Sequence, residues 1–238
     1  MNQASKIKLD GVYTDDYGLK VQGRYEIPTA EKDIEFIEIK GRDGELTKEY
    51  GYKNITLSVS FSLNTRWKSE SFKSVFRKVK QYILNAKTFA VDDDPEVYYK
   101  IKSTQIESAE NKIVKFGQFV VNFVLDPFQY EVDNAPISIT SQTTIINEGY
   151  EALPVITAHV AGTGNIYINE QKVTIQNVNG TITIDSEMQN AYRIADGYVT
   201  NLNKHTIGRF PVLEHGENVI RFDGDITKIE LIKNLRWV

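Results

Sequence analysis

The chain has no cysteine among its 238 residues. That excludes disulfides, thiolate catalysis and cysteine-based zinc sites. Histidine is scarce, with only His159, His205 and His215. None of the three sits in a spacing such as H-E-x-x-H, which would bring two imidazoles to one metal. His159 falls inside a predicted strand and the other two in turn-rich stretches, which suits structural or surface roles. No apolar run approaches the ~18 residues that cross a bilayer, so no membrane insertion is expected. The opening Met1-Asn2-Gln3-Ala4-Ser5-Lys6 has no apolar signal core, so synthesis in a cytoplasm without export is expected. There is no glycine-rich phosphate loop with its lysine and no dinucleotide fingerprint. Excess positive charge is also missing. Charged residues make up 25% of the chain and the net charge is −4, which disfavours a partner gripped by its phosphates.

What is present is organised around Asp126-Pro127-Phe128-Gln129-Tyr130. Upstream, Phe119, Val121, Phe123 and Leu125 share one side of a strand, and Val120 and Val124 share the other. A run apolar on both sides suits a central strand. Pro127 removes a backbone donor and biases Asp126 to an extended shape, so the ladder is expected to stop there. Asp126, Pro127, Phe128 and Tyr130 are read as an interdomain joint. Charge density changes across it. Residues 1–130 hold 20 Lys and Arg against 19 Asp and Glu, whereas residues 131–238 hold 8 against 13. Two modules, 1–130 and 131–238, are therefore expected.

In the first module, Ile7–Leu9 and Tyr17–Val21 read as short strands around Asp10-Gly11. Ile34 to Ile39 alternates and then changes phase at Phe36-Ile37, which predicts a bulge or a change of partner. Gly41-Arg42-Asp43-Gly44-Glu45-Leu46 follows as a hairpin turn. An anion cradle around Arg42 is the weaker alternative. Ile55 to Leu63 alternates strictly, with Thr56, Ser58, Ser60 and Ser62 on its outer face. That serine face has no nucleophile elbow. Ser69 is the expected N-cap of a helix, with Glu70 in its first turn. Phe72, Val75, Phe76, Val79, Tyr82 and Ile83 repeat at helical spacing as its core face. Lys73, Arg77, Lys80 and Lys87 lie along one flank, either solvated or meeting an acidic neighbour. Asp92-Asp93-Asp94-Pro95-Glu96 is the strongest acidic cluster. It lacks the glycine and the distal glutamate of a calcium-binding loop, so it reads as an acidic turn. Val97–Gln105 and Ile113–Leu125 read as a long antiparallel pair joined at Ser108-Ala109-Glu110-Asn111.

In the second module short strands alternate with turns. They are Ile137–Asn147, Pro154–Ala161, Asn165–Ile168, Lys172–Ile175, Thr181–Asp185, Asn218–Phe222 and Ile226–Ile232, and the last could complete either module. The pattern predicts a β-sandwich or jelly roll. Asp185, Glu187 and Asp196 could form a carboxylate pair for glycoside cleavage only if folding opposes two of them at a defined distance. Tyr167, Tyr192 and Tyr198 are scattered and form no evident aromatic platform. No catalytic residue, metal site or cofactor is assigned, and the chain reads as non-enzymatic.

The chain resembles the distal tail proteins of long, non-contractile-tailed phages that infect Gram-positive bacteria. The matching features run through most of its length. They are the Gly41–Leu46 turn and the alternating strand to Leu63, the helix after Trp67, and the Asp126–Tyr130 segment. Further on come Asn147-Glu148-Gly149 with Pro154, Ile182-Thr183-Ile184-Asp185-Ser186-Glu187, Phe210-Pro211 with Gly216-Glu217-Asn218, and Leu235-Arg236-Trp237. The resemblance implies a mainly β, two-domain fold. A sandwich-like N-terminal ring domain with one α-helix would precede a C-terminal galectin-like β-sandwich. It also implies a homohexameric ring at the distal end of the virion tail, made in the host cytoplasm. That ring joins the major tail (tube) protein to a tip protein carrying fibre or lysin, anchors receptor-binding proteins, and lets DNA pass without sequence-specific binding. Phe36, Ile37, Ile39, Arg42 and Leu46 are the expected subunit contacts. A carbohydrate-binding adhesion module is the alternative role.

Overall fold

The structure is a computed structural model that describes residues 6–66, 68–107, 110–113 and 116–238. Trp67, Ser108, Ala109, Val114 and Lys115 lie outside the described residues, as does the opening stretch before Lys6, while Glu110 and Asn111, expected in a turn, lie in a strand. The chain divides into two compact units, Met1–Val132 (with Val238) and Asp133–Trp237. Both are built mainly of antiparallel strands.

The first unit contains β1 (Ile7–Leu9), β2 (Val12–Tyr13), β3 (Leu19–Val21), β4 (Lys32–Ile37), β5 (Leu46–Tyr52) and β6 (Ile55–Asn64). The helix α1 (Phe72–Asn85) follows, then β7 (Thr88–Val91), β8 (Asp94–Ile106), β9 (Glu110–Ile113) and β10 (Phe116–Glu131). Its main sheet runs β2-β1-β7-β8-β10-β6-β3. Asp10-Gly11 joins β1 to β2, and β3 sits at the far edge against β6, so the first two expected strands are not neighbours. On β6, Ile55, Leu57, Val59, Phe61 and Leu63 are buried, and β10 answers across the register with Phe119, Val121, Phe123 and Leu125. The helix closes this core. Phe72, Val75, Val79 and Ile83 are buried against it, and Phe76 and Tyr82 are half-buried and pack on it. Phe76 meets Phe119 edge-on at 5.1 Å. Each buried large side chain contributes roughly 1.5–3 kcal/mol.

The helix begins two residues later than the sequence suggested. Ser71, not Ser69, is the N-cap, and its hydroxyl accepts from the Ser74 amide. Glu70 stays outside the helix, where it receives Ser74 Oγ and Lys78 Nζ. Lys87 lies beyond the last turn.

Nor does β10 end at the proline. Its pairing with β8 slips between Leu125 and Gln129, then resumes as Gln129↔Tyr99 and Tyr130↔Tyr98. The donor that Pro127 lacks breaks no bond to β8, because the residue falls within the irregularity. Asp126, only 7% exposed, holds the kink. It accepts from the Tyr130 hydroxyl at 2.9 Å and pairs with Lys102 at 2.6 Å.

The second unit contains β11 (Ile137–Ile139), β12 (Thr143–Asn147), β13 (Val155–Ile168), β14 (Gln171–Asp185), β15 (Asn190–Ala195), β16 (Tyr198–Asn201), β17 (Thr206–Gly208) and β18 (Gly216–Ile232). The order is β11-β18-β13-β14-β15-β16, with β12 on β18 and β17 on β14. Three pairs of expected short strands are in fact three long, bent ones. The turns expected from sequence between those strands, Gly162-Thr163-Gly164-Asn165, Asn177-Val178-Asn179-Gly180 and Asp223-Gly224-Asp225, lie inside β13, β14 and β18. The β13 ladders with β14 and β18 shift register across Gly162 and Gly164. The bends are possible because Asn177, Gly180 and Gly224 take positive φ. Ile226–Ile232 belongs to β18 and so to this unit. Its core gathers Ile156, Ile166, Ile168, Ile175, Ile182, Ile184, Ile220 and Ile229.

Candidate functional site: an exposed hairpin in the first unit

β4 and β5 pair only with each other among the described residues, forming a two-stranded ribbon separate from the main sheet. Such a ribbon is marginal alone in water, so its apolar residues need a reason to be there. Phe36 is 62% exposed and Tyr50 55%, and Ile37, Ile39 and Leu46 are also exposed. Phe36 faces Thr47 across the ribbon, and Ile37 faces Leu46. Adjacent residues on a strand point to opposite faces, so both faces carry apolar groups. The sequence placed the irregularity at Phe36-Ile37. It lies instead between Asp33 and Ile34, opposite Gly51, whose φ is +116°. A ribbon with no buried side has no core to impose one phase, so out-of-phase apolar residues are tolerated in regular pairing.

Polar contacts stiffen the ribbon. Lys32 pairs with Glu49 at 3.0 Å, the Tyr50 hydroxyl donates to Glu35, and Lys48 lies over the Tyr50 ring at 4.6 Å. The tip turns through Gly41 and Gly44, both at positive φ. Arg42 is exposed there, and its amide donates to Ile39 O. At the root, Tyr52 packs edge-on against Phe128 at 5.8 Å. Lys53 N donates to Glu31 O.

The four residues read as a joint thus lie within β10 of the first unit, upstream of Val132. Asp126 and Tyr130 are buried in the kink, and Phe128 braces the hairpin root. Sequence reasoning missed the Tyr52–Phe128 contact. Two aromatics 76 positions apart give no local signal of meeting.

The main sheet's outer face is polar. Ser58 Oγ donates to Asn122 Oδ1, whose amide donates to Glu107, and Gln22 donates to Ser62. An open groove of about 540 Å³ lies there, lined by Gln22, Ser60, Glu107, Gln118 and Val120. It offers amides, one hydroxyl and one carboxylate.

In the second unit, Asp185 and the three histidines make structural contacts, and Glu187 and Asp196 are exposed. Asp185 is buried and caps the Met188 amide at 2.9 Å, while Asp196 sits exposed in the β15–β16 turn at φ +51°. Glu187 is exposed. His205 and His215 bond backbone carbonyls, and His159 lies 3.4 Å from Glu230. The Lys228 hydrogen bond holds Glu230 below the usual carboxylate range. Among the described residues no group of three His, Asp or Glu is placed to hold a metal, and no helix is long and apolar enough to cross a membrane. One cluster does assemble on a sheet face. Arg221 stacks on Tyr167 at 3.7 Å, and Asp223 accepts from Asn165 and from the Tyr167 hydroxyl. The Asn165 and Tyr167 hydrogen bonds keep Asp223 below its ordinary pKa. Tyr192 and Tyr198 do not join it.

No protein-family profile and no curated protein sequence matches the chain. Solved structures do. The chain is similar to the Dit protein of phage SPP1, described as a paradigm of the hub adsorption apparatus in phages infecting Gram-positive bacteria. The match has a TM-score of 0.68 and 12% identity, covering 98% of this chain and 99% of that one. It is also similar to chains of the phage P2 baseplate in its activated conformation. With calcium, the TM-score is 0.53 at 10% identity, over 98% of this chain and 97% of that chain. With strontium, it is 0.53 at 9% identity, over 95% and 96%. The fold is therefore that of phage hub and baseplate proteins along nearly the whole chain, in agreement with the sequence resemblance.

Proposed function

We propose that the chain is the structural hub protein at the distal end of a long, non-contractile phage tail. Six copies close into a ring. The first module (1–130) forms the ring, and the second (131–238), a galectin-like sandwich, carries outward contacts. The ring joins the tube protein to the tip protein, seats receptor-binding proteins, and lets DNA pass. It performs no catalysis. The observation that carries this reading is the end-to-end fold match with the SPP1 hub protein. The hairpin supports it: Phe36, Ile37, Ile39 and Leu46 are held exposed on a stiffened ribbon, as a subunit contact requires. A net charge of −4 suits a channel that must not grip phosphates. Mass measurement at micromolar concentration tests the reading, with hexamers the expected result. A monomer across that range overturns it.

A second reading, saccharide binding by the second unit, is favoured only by the Tyr167–Arg221–Asp223 cluster. Its test is titration with purified wall polysaccharide. Binding lost in Tyr167→Ala and Asp223→Asn would support it, and no binding by the intact chain would remove it.

A further inference from the structure

Charge is segregated in the first unit to a degree that its fold does not require. Between Ser71 and Lys87 the chain carries Lys73, Arg77, Lys78, Lys80 and Lys87 and no carboxylate, leaving a net −4 on the rest of residues 1–130. Because Phe72, Val75, Val79 and Ile83 turn inward, Lys73, Arg77 and Lys78 are held exposed on α1, with the half-buried Lys80 over the Phe76 ring at the edge of that face and Lys87 just past the helix. Lys78 is neutralised by Glu70 at 2.8 Å. Among the described residues no carboxylate lies at ion-pair distance from Lys73, Arg77 or Lys80. The helix is fixed on the core, so this is a rigid basic face.

The densest opposite charge is the β7–β8 turn. Asp92, Asp93, Asp94 and Glu96 are all exposed there. The turn is also rigid, pinned where Val91 pairs with Asp94 and where Lys6 N donates to Asp92 at 2.7 Å. Its field reaches Tyr25, where burial first, then Asp93 and Asp92, push the phenol upward.

A patch of like charges repels its own copy across a two-fold axis. It therefore needs an oppositely charged patch on its neighbour, and head-to-tail repetition of such a contact closes a ring when the rotation closes. Complementary potentials fix the register of such contacts and suppress wrong pairings. We infer that the outward face of α1 docks on the acidic Asp92–Glu96 turn of a second copy of this chain. This rests on the ring reading above and adds to it a second contact, apart from the hairpin.

The test uses the full chain. Two charge-reversed variants, K73E/R77E and D92K/D94K, are compared with wild type by light scattering. A carbodiimide joins lysine to carboxylate in wild-type rings mixed from isotopically distinct copies. Each reversal alone is expected to raise the half-assembly concentration roughly tenfold or more. The combined fourfold variant is expected to recover assembly. Crosslinks from Lys73 or Lys80 to Asp92–Asp94 are expected between copies. The crosslinking arm decides the matter if a variant fails to fold. Rings that form normally in K73E/R77E and carry no such crosslink overturn this inference and leave the ring standing. A wild type that never assembles removes the ring and this contact together. Normal assembly of K73E/R77E with loss of binding to a double-stranded DNA oligonucleotide also overturns it, and assigns the face to nucleic acid.

Discussion

At the residue scale, Asp126 carries an unusual share of the first unit's geometry. It is the buried anion that lets β10 slip past Pro127 and resume pairing at Gln129. With asparagine there, the amide oxygen can still accept from the Tyr130 hydroxyl, but Lys102 meets an NH2 donor in place of a carboxylate oxygen. Asp126→Asn is expected to destabilise the first unit by about 1–3 kcal/mol, measured as a lower urea midpoint with unchanged slope. Lys102→Met should cost less, because Lys102 is half exposed and its ion pair is partly screened. Tyr82 offers a test by pH. It is half-buried, stacks on Tyr17 at 4.0 Å and donates to Val12 O at 2.9 Å. Burial, as the largest cause, raises its pKa in the folded state. A group whose folded pKa is raised contributes stability in full below its unfolded pKa, about 10 for tyrosine, and loses it as pH rises beyond. Wild-type stability should therefore fall above pH about 10. Tyr82→Phe should fall less steeply, from a starting point lower by about 0.5–1.5 kcal/mol. Equal slopes in the two proteins would contradict this.

Individual elements show why the second unit looked more fragmented in sequence than it is. Its glycines and asparagines predict chain reversals. In β13, β14 and β18 they are kinks within long strands, where the pairing shifts register and then resumes with the same neighbour. Local sequence does not distinguish the two, since the same residues serve both. Gly224 gives the sharpest test. Its φ is +71°, and a Cβ there would stand 2.6 Å from Thr163 O. Gly224→Ala is expected to cost about 1–3 kcal/mol in the second unit, read as a lower melting temperature. The hairpin predicts the reverse pattern. Phe36→Asp with Leu46→Asp alters groups that no core uses, so folding should hold to within about 0.5 kcal/mol. Assembly should be lost. A ring unaffected by the pair would place the contact elsewhere.

For the whole molecule, the proposed role is geometric. Permanent ring contacts bury on the order of 2,000 Å² or more, which one ribbon does not supply. A second rigid contact through α1 is consistent with that requirement. If charge contributes, assembly of the 27.1-kDa chain should weaken between low salt and about 1 M salt, where screening acts within ~3 Å. If the contacts were apolar throughout, the ring would be indifferent to salt or strengthened by it. Light scattering across a salt series separates the two.

The amino-acid sequence by itself determined the β-rich class, the helix α1 with its inward Phe72–Ile83 stripe, and the alternation that buries one side of β6. Each of these is written in near neighbours, where period and propensity act directly. It also set the charges of α1 and of the Asp92–Glu96 turn. Only the tertiary structure decided that β10 continues past Pro127, that Phe128 braces Tyr52, and that the Phe36–Leu46 ribbon has no core of its own. Those outcomes depend on residues tens of positions apart competing for the same neighbours, and that competition is resolved only when the chain packs.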